Sequence, residues 1–327
     1  MCKLTTEYIF FRHFFLIGIQ LYYHDKSMIF DTWRSRGLNM KILGVDIGGS
    51  GIKGAVVDTK TGELVSERVR IETPQPATPE AVAETLKKLI EQLGYSGPVG
   101  CGFPATVHHG VAFTAANIDS SWINTPVEKL FTEITGNNCY VLNDADAAGI
   151  AEMAFGEGRN VQGVVMMITI GTGLGSAIFV NGNLLPNCEL GHLILKDDIA
   201  EHYCSDAARQ RLELSWGKWG KRFNKYLHRL EFLFNPDLII LGGGASKSFE
   251  KYADKIDVRA RVTPAKTLNT AGIIGAAMYA ENMIAQTQKT CSKPVAAKSK
   301  SESAGNGEQT KDKTASAKSK KVKPAKN

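Results

Sequence analysis

The hydrophobic pattern of the chain is clearest in residues 41–57, KILGVDIGGSGIKGAVV. An apolar run at 42–47 carries one acid, Asp46, near its end, a glycine-rich turn follows at 48–51, and a second apolar run comes at 55–57. Five glycines between Gly44 and Gly54 argue against a helix, because each costs about 1 kcal/mol in a helix interior. The stretch predicts a β-hairpin. Another strand is predicted at 63–71. Thr78 as N-cap, Pro79 at the first helical position and Gly94 at the end bound a helix. Its stripe is Val82, Leu86, Leu89, Ile90 and Leu93. Strands are predicted at 99–103, 139–142, 164–170, 177–180 and 238–241, and helices at 147–155, 200–214, 216–234 and 269–283. Trp216, Trp219, Phe223, Leu227, Leu230 and Phe234 form the core stripe of the helix at 216–234. Residues 105–124 make a long polar and aromatic loop with Asn117, Asp119, Ser121 and Trp122, and long ordered loops of this kind often bind ligands. Alternating strands and helices predict an α/β fold.

The hairpin pattern occurs twice. At a shift of 122 residues, Gly49-Ser50-Gly51-Ile52 falls on Gly171-Thr172-Gly173-Leu174, and Ala55-Val56-Val57 on Ala177-Ile178-Phe179. So long a period suggests a duplicated domain rather than a solenoid. Glycine tolerates positive φ and lets backbone N–H groups approach an anion. Gly48, Gly49, Ser50, Gly51 and Lys53 in the first copy, and Gly171, Thr172 and Gly173 in the second, are therefore candidate phosphate-binding residues. Two such lobes could grip one anion chain between their turns. Asp46 is a candidate for a hydrated metal ion beside that anion. A tight hairpin without ligand is the plainer alternative.

Two further constellations carry chemistry. The strand at 139–142 runs into Asn143-Asp144-Ala145-Asp146, which puts carboxylates at a strand's C-terminal end, where ligands of α/β sheets gather. Asp146 or Asn143 is expected to cap the helix that follows, leaving Asp144 for chemistry. In Cys188-Glu189-Leu190-Gly191-His192, Glu189 and His192 are polar groups in an apolar setting. A carboxylate and an imidazole suit a sugar hydroxyl, which both donates and accepts; a structural Glu–His hydrogen bond is the alternative.

Composition and charge narrow the partners. With 327 residues, 43% hydrophobic and 22% charged, the chain is ordinarily globular. Its net charge of +6 is uneven: residues 289–327 carry +8, residues 1–39 carry +2, and residues 40–288 carry −4. A nucleic-acid-binding body is not indicated. Between Arg209 and Lys266 thirteen basic residues face six acidic ones, with Lys218, Lys221, Arg222, Lys225 and Arg229 at helical spacings. A solvated face explains most such patterns, but a long polyanion would use this one and bind salt-dependently. The six cysteines lack any CxxC pair, which fits a reducing cytoplasm. Residues 14–23 are apolar but too short to span a bilayer, which takes about 20 residues. Residues 1–39 are therefore expected to lie outside the fold, Met40 sitting directly before the first strand; an interfacial anchor is the alternative. Residues 285–327, rich in Lys, Ala, Ser and Thr, are expected to be a disordered tail. The N-terminal lobe is expected at 40–146 and the C-terminal lobe at 147–284, its last helix packing back.

Taken together, DIGGSGIKG (46–54), LNDADAAGIAE (142–152), ITIGTGLGSAIF (168–179), CELGH (188–192), LIILGGGASK (238–247) and NTAGIIGAA (269–277) resemble the ROK (repressor–ORF–kinase) sugar kinases. The resemblance covers about residues 40–283. It implies the two-lobed actin-like/hexokinase-like ATPase fold, with ribonuclease H-like duplicated domains and a cleft between lobes. It further implies Asp144 as the catalytic base, Asn117, Asn143, Glu189 and His192 at the sugar, Gly243 and Gly244 on the donor side, and Mg²⁺ near Asp46. The family's usual cysteine cluster after the Gly-His is missing: residues 193–206 hold only Cys204, so no structural zinc is expected. That loss, with residues 115–122 and 213–244, is similar to the polyphosphate-using glucokinases of the family. The implied activity is phosphorylation of glucose at its 6-hydroxyl by inorganic polyphosphate, with ATP as a further donor. A strictly ATP-dependent glucokinase or other hexose kinase, and a sugar-sensing regulator, are the alternatives. A homodimer remains a candidate assembly.

Overall fold

A computed structural model of the chain describes residues 38–115 and 118–291. The expectations for residues 1–37, for Asn117 and for residues 292–327 lie outside the described residues. The first half runs β1 (Lys41–Gly48), β2 (Gly51–Asp58), β3 (Glu63–Leu64), β4 (Val69–Ile71), α1 (Pro79–Gln92), β5 (Val99–Phe103), β6 (Val107–His108), β7 (Val111–Ala112), α2 (Val127–Thr135), β8 (Cys139–Asn143) and α3 (Asp144–Phe155). The second runs β9 (Val164–Ile170), β10 (Leu174–Val180), β11 (Asn183–Leu185), β12 (Ile194–Leu195), β13 (Asp198–Ile199), α4 (Ala200–Cys204), α5 (Asp206–Arg211), α6 (Trp216–Phe234), β14 (Leu238–Gly242), β15 (Arg261–Pro264) and α7 (Ala271–Cys291).

The repeat extends from the hairpins to whole sheets. One sheet is ordered β3-β2-β1-β5-β8, with β4 also on β2; the other is ordered β11-β10-β9-β14-β15. In each, an antiparallel hairpin is followed by two parallel strands. The strands alternate between two cores, as a period of two requires. Ile42 of β1 and Val165 and Met167 of β9 face a central core that contains α3 and α7. Leu43, Val45 and Ile47 face an outer core under α1 and α2. Met166, Ile168 and Ile170 face the outer core under α6, where Trp219, Phe223, Leu227 and Leu230 are fully buried.

The two hairpins are not quite in phase. The first closes on Gly48 and Gly51 across two residues, whereas the second pairs Ile170 with Leu174 across three. Ala55 and Ala177 keep the shift of 122 and share the central core. The first strands instead match at 123, since Ile42 and Val165 share that core. Thr169 therefore stands where Asp46 stands in the first copy.

Several boundaries differ from expectation. The strand expected at 63–71 is broken into β3 and β4, because the Ser66 hydroxyl, rather than a backbone carbonyl, accepts from the Val56 N–H at 2.9 Å. The helix expected at 200–214 is split at Ser205, which caps α5 by accepting from Ala208 N. The last helix continues to Cys291 rather than ending at 283, so residues 285–291 belong to the fold and not to a tail; no proline or glycine interrupts them. The boundary expected between 146 and 147 falls inside α3. Among the described residues no helix is long and apolar enough to cross a membrane.

Small residues set the central packing. A methyl group on Gly275 would lie on the Ala147 carbonyl of α3, and one on Gly44 or Gly100 would lie on the Ile273 or Ala276 carbonyl of α7. Backbone cannot yield as a flexible side chain does. Gly275→Ala is expected to destabilise the protein by about 1–3 kcal/mol, read as a lower urea midpoint. Gly217→Ala, on α6 with only Lys255 among the described residues within 4 Å of the added methyl, is expected to be neutral or stabilising by up to about 1 kcal/mol.

Candidate active site

The first glycine turn is held from behind. Arg70 Nη2 donates to the Ser50 carbonyl at 2.8 Å, Thr73 Oγ1 to the Gly48 carbonyl, and Gln75 Nε2 to the Gly49 carbonyl at 3.4 Å. Among the described residues the amides of Gly49 and Ser50 have no internal acceptor, nor do those of Thr172 and Gly173 in the second turn. Unpaired amides on a tight turn suit an anion. Contrary to expectation, the glycines of these turns do not serve through positive φ, because none of Gly48, Gly49, Gly51, Gly171 and Gly173 has it. Their use is close approach: a methyl on Gly51 would run into the Arg70 guanidinium. Gly243 does have φ of +77° and packs against the Ile170 backbone.

A cleft of about 490 Å³ joins both turns. Gly48, Gly49, Ser50, Asn143, Asp144, Gly171, Thr172, Gly173, Glu189, His192 and Gly243 line it. A neighbouring cavity takes Asp46 and Lys53 and shares Asp144 and Thr169 with the first. Gly51 and Gly244 line neither.

Asp144 is the first residue of α3 and stands at the C-terminal end of β8. Burial, then the charge of Asp46, push its carboxyl up to about 7, against a hydrogen bond from the Ala145 amide that favours the ionised form. Asn143 is the helix cap. Its Oδ1 accepts from Ala145 N at 2.8 Å and Asp146 N at 3.1 Å, and its Nδ2 donates to Ala105 O at 3.2 Å and Glu189 Oε1 at 3.5 Å. Those bonds fill its hydrogen-bonding capacity, so Asn143 orients Glu189 and starts α3. Asp146 is buried deeper; Asn187 N donates to its Oδ2 at 2.8 Å, and burial pushes its carboxyl up to about 7.

Glu189 and His192 enter from a 3₁₀ turn (Leu190–His192) after β11. Gly191 lets that turn lie on β10, where a methyl would strike the Leu174 carbonyl. His192 lies between two carboxylates, Nδ1 3.9 Å from Glu189 and Nε2 3.8 Å from Glu201. Burial raises the Glu189 pKa, and the nearby His192 opposes that rise. Glu201 also accepts from Leu174 N at 3.3 Å, tying the imidazole to the second turn.

The sequence pattern missed Glu201, Thr169 and Thr114, which line the first cleft, and Arg70, which braces the first turn. Thr169 alone gave a signal, a hydroxyl on the inner face of an apolar strand. It also missed Asn187, whose side chain both accepts from Val107 N and donates to Val107 O at 2.9 Å, joining the segment before Glu189 to the loop after β5. Trp122, expected in a binding loop, is core: it is fully buried, its ring lies 4.5 Å from Phe103, and its Nε1 donates to Ala77 O. Cys204 is buried and donates to the Ala200 carbonyl. Among the described residues no three His, Cys, Asp or Glu side chains form a metal cluster. On α6, Lys218, Lys221, Lys225 and Arg229 are exposed on the side away from the core.

The pattern of the ROK family matches residues 42–208. A polyphosphate glucokinase of Mycobacterium tuberculosis is 45% identical over 237 residues, spanning 72% of this chain and 89% of the relative. The crystal structure of an inorganic polyphosphate/ATP-glucomannokinase from Arthrobacter sp. strain KM superposes with a TM-score of 0.72 at 44% identity, covering 76% of this chain and all of that one. A ROK glucokinase from Streptomyces griseus, solved with glucose and AMPPNP, superposes with a TM-score of 0.65 at 25% identity, covering 74% and 99%. With twin sheets, twin turns and the Asp144 cleft all in place, the chain belongs to the ROK family of two-lobed, hexokinase-like sugar kinases.

Proposed function

We propose that this chain is a polyphosphate-dependent glucokinase that transfers a phosphoryl group from inorganic polyphosphate, with ATP as a second donor, to the 6-hydroxyl of glucose. One observation carries the reading: both glycine turns, Asp144, Glu189 and His192 line a single cleft. The choice of donor and sugar is supported by the likeness to the Mycobacterium enzyme and the Arthrobacter glucomannokinase.

In this reading Glu189 accepts from sugar hydroxyls, and His192, steadied by Glu201, supplies a donor or acceptor beside it. Asp144 takes the proton of the 6-hydroxyl as that oxygen bonds to the terminal phosphorus, and the bridging P–O bond breaks toward the shortened polyphosphate. A loose transition state leaves the protein mainly positioning and charge neutralisation. The amides of Gly49, Ser50, Thr172 and Gly173 supply both at the transferring group. A carboxyl with pKa near the working pH is matched to this proton transfer.

Asp46 fits a hydrated magnesium ion brought in with the donor, since its carboxylate lines the cavity that meets the cleft at Asp144. Mg²⁺ typically binds one or two carboxylates together with substrate phosphates. Bound there, it would offset donor charge.

Asp144→Asn is expected to lower kcat by about 10²–10⁴-fold with the fold retained, and wild-type turnover in that variant would overturn the assignment. Because Asp144 acts ionised and its pKa stands at about 7, kcat/KM should rise with pH and level off above about 7. Asp46→Asn removes the charge that raises it, so the inflection should move to lower pH. Long-chain polyphosphate and ATP should both support glucose phosphorylation. The polyphosphate rate should fall more steeply with added salt, as counterion release predicts for a long polyanion; turnover with ATP alone, insensitive to salt, would reject the donor assignment.

A further inference from the structure

The second cavity, of about 430 Å³, carries a cationic wall that the chemistry at Asp144 does not use. Asp46, Lys53 and Arg70 are successive cross-strand partners on β1, β2 and β4, so they form one row across a single face. Arg68, two positions from Arg70, lines the same cavity. Lys53 is 3.1 Å from Asp46, and Arg70 is bound to the Ser50 carbonyl. Arg68 is exposed and has no ion pair or hydrogen bond among the described residues. Lys53 is balanced by Asp46, whereas Arg70 and Arg68 bring two further cations to the cavity with no carboxylate paired to either among the described residues. The stretch from Leu268 to Gly272 also lines the cavity and leads into α7, a long helix with no acid in its first turn. That helix start adds positive potential.

The two cavities meet at Asp144 and Thr169 and differ in the side chains around them. Glu189 and His192 line only the first; Lys53, Arg68 and Arg70 line only the second; Asp144 and Thr169 line both. Phosphoryl transfer places the attacking and leaving oxygens roughly in line. With the sugar in the first cavity, the departing chain points toward the second. A nucleotide's phosphate charge ends after three groups, whereas polyphosphate carries charge on every unit and continues.

We propose that the second cavity is a subsite for the distal phosphates of the polyphosphate donor, with Arg68 as its uncommitted cation. This rests on the polyphosphate reading of the active site. The test compares the full-length protein with Arg68→Gln and Arg68→Lys, measuring initial rates at saturating glucose with long-chain polyphosphate and with ATP. Arg68→Gln should raise KM for long-chain polyphosphate about fivefold and flatten its salt dependence, with kcat and the KM for ATP and glucose unchanged. Arg68→Lys should recover most of the affinity. An unchanged polyphosphate KM, or an equal rise for ATP, would overturn the subsite while leaving the glucokinase reading intact. A wild-type protein with no polyphosphate turnover would overturn both.

Discussion

The structure depends on the contact between α3 and α7. Gly275 brings the α7 backbone onto the Ala147 carbonyl, while Gly44 and Gly100 let β1 and β5 approach the same helix. The two sheets are thereby packed on opposite sides of one helix pair, with a shared core between them. At such short range a single methyl group is felt as backbone displacement. The consequence reaches the cleft directly, since Asp144 begins α3 and the segment lining the second cavity leads into α7.

The electrostatics of the cleft follow from that placement. At the start of a helix a carboxylate is ordinarily favoured in its charged form, and the Ala145 amide acts in that direction. Burial and the charge of Asp46 outweigh it, so Asp144 sits near neutral pH instead of in the usual carboxylate range. Asp46 faces the cavities because it shares the inner face of β1 with Ile42 and Gly44. Asn143 completes the arrangement by capping α3 and holding Glu189 with the same amide group.

Much of this was legible in the residues. Both hairpins, the strand-to-helix step at Asp144 and the Glu189–His192 pair follow from local pattern, because turns and strand ends write themselves in a few consecutive positions. Less legible were contacts set by tertiary approach. Nothing local marks Glu201 as the second neighbour of His192, or Arg70 as the brace behind Ser50. The aromatic loop misled for the same reason: Trp122 looks like a ligand platform beside Asp119 and Ser121, yet it fills the outer core against Phe103 and Phe131. Ser66 and Ser205 broke elements that apolar periodicity read as continuous, each by offering the backbone a hydroxyl.

One residue of difference between the twin first strands gives the duplicated scaffold a polarity. Two halves identical in residues would set an acid beside each turn, and an extended polyanion would meet the same surroundings whichever way it lay. The second half carries a neutral hydroxyl, Thr169, at the position where the first carries Asp46, so the inner faces of the two grips differ in charge. A symmetric ancestry thus yields an asymmetric field, in which head and tail of a chain of identical units are no longer equivalent.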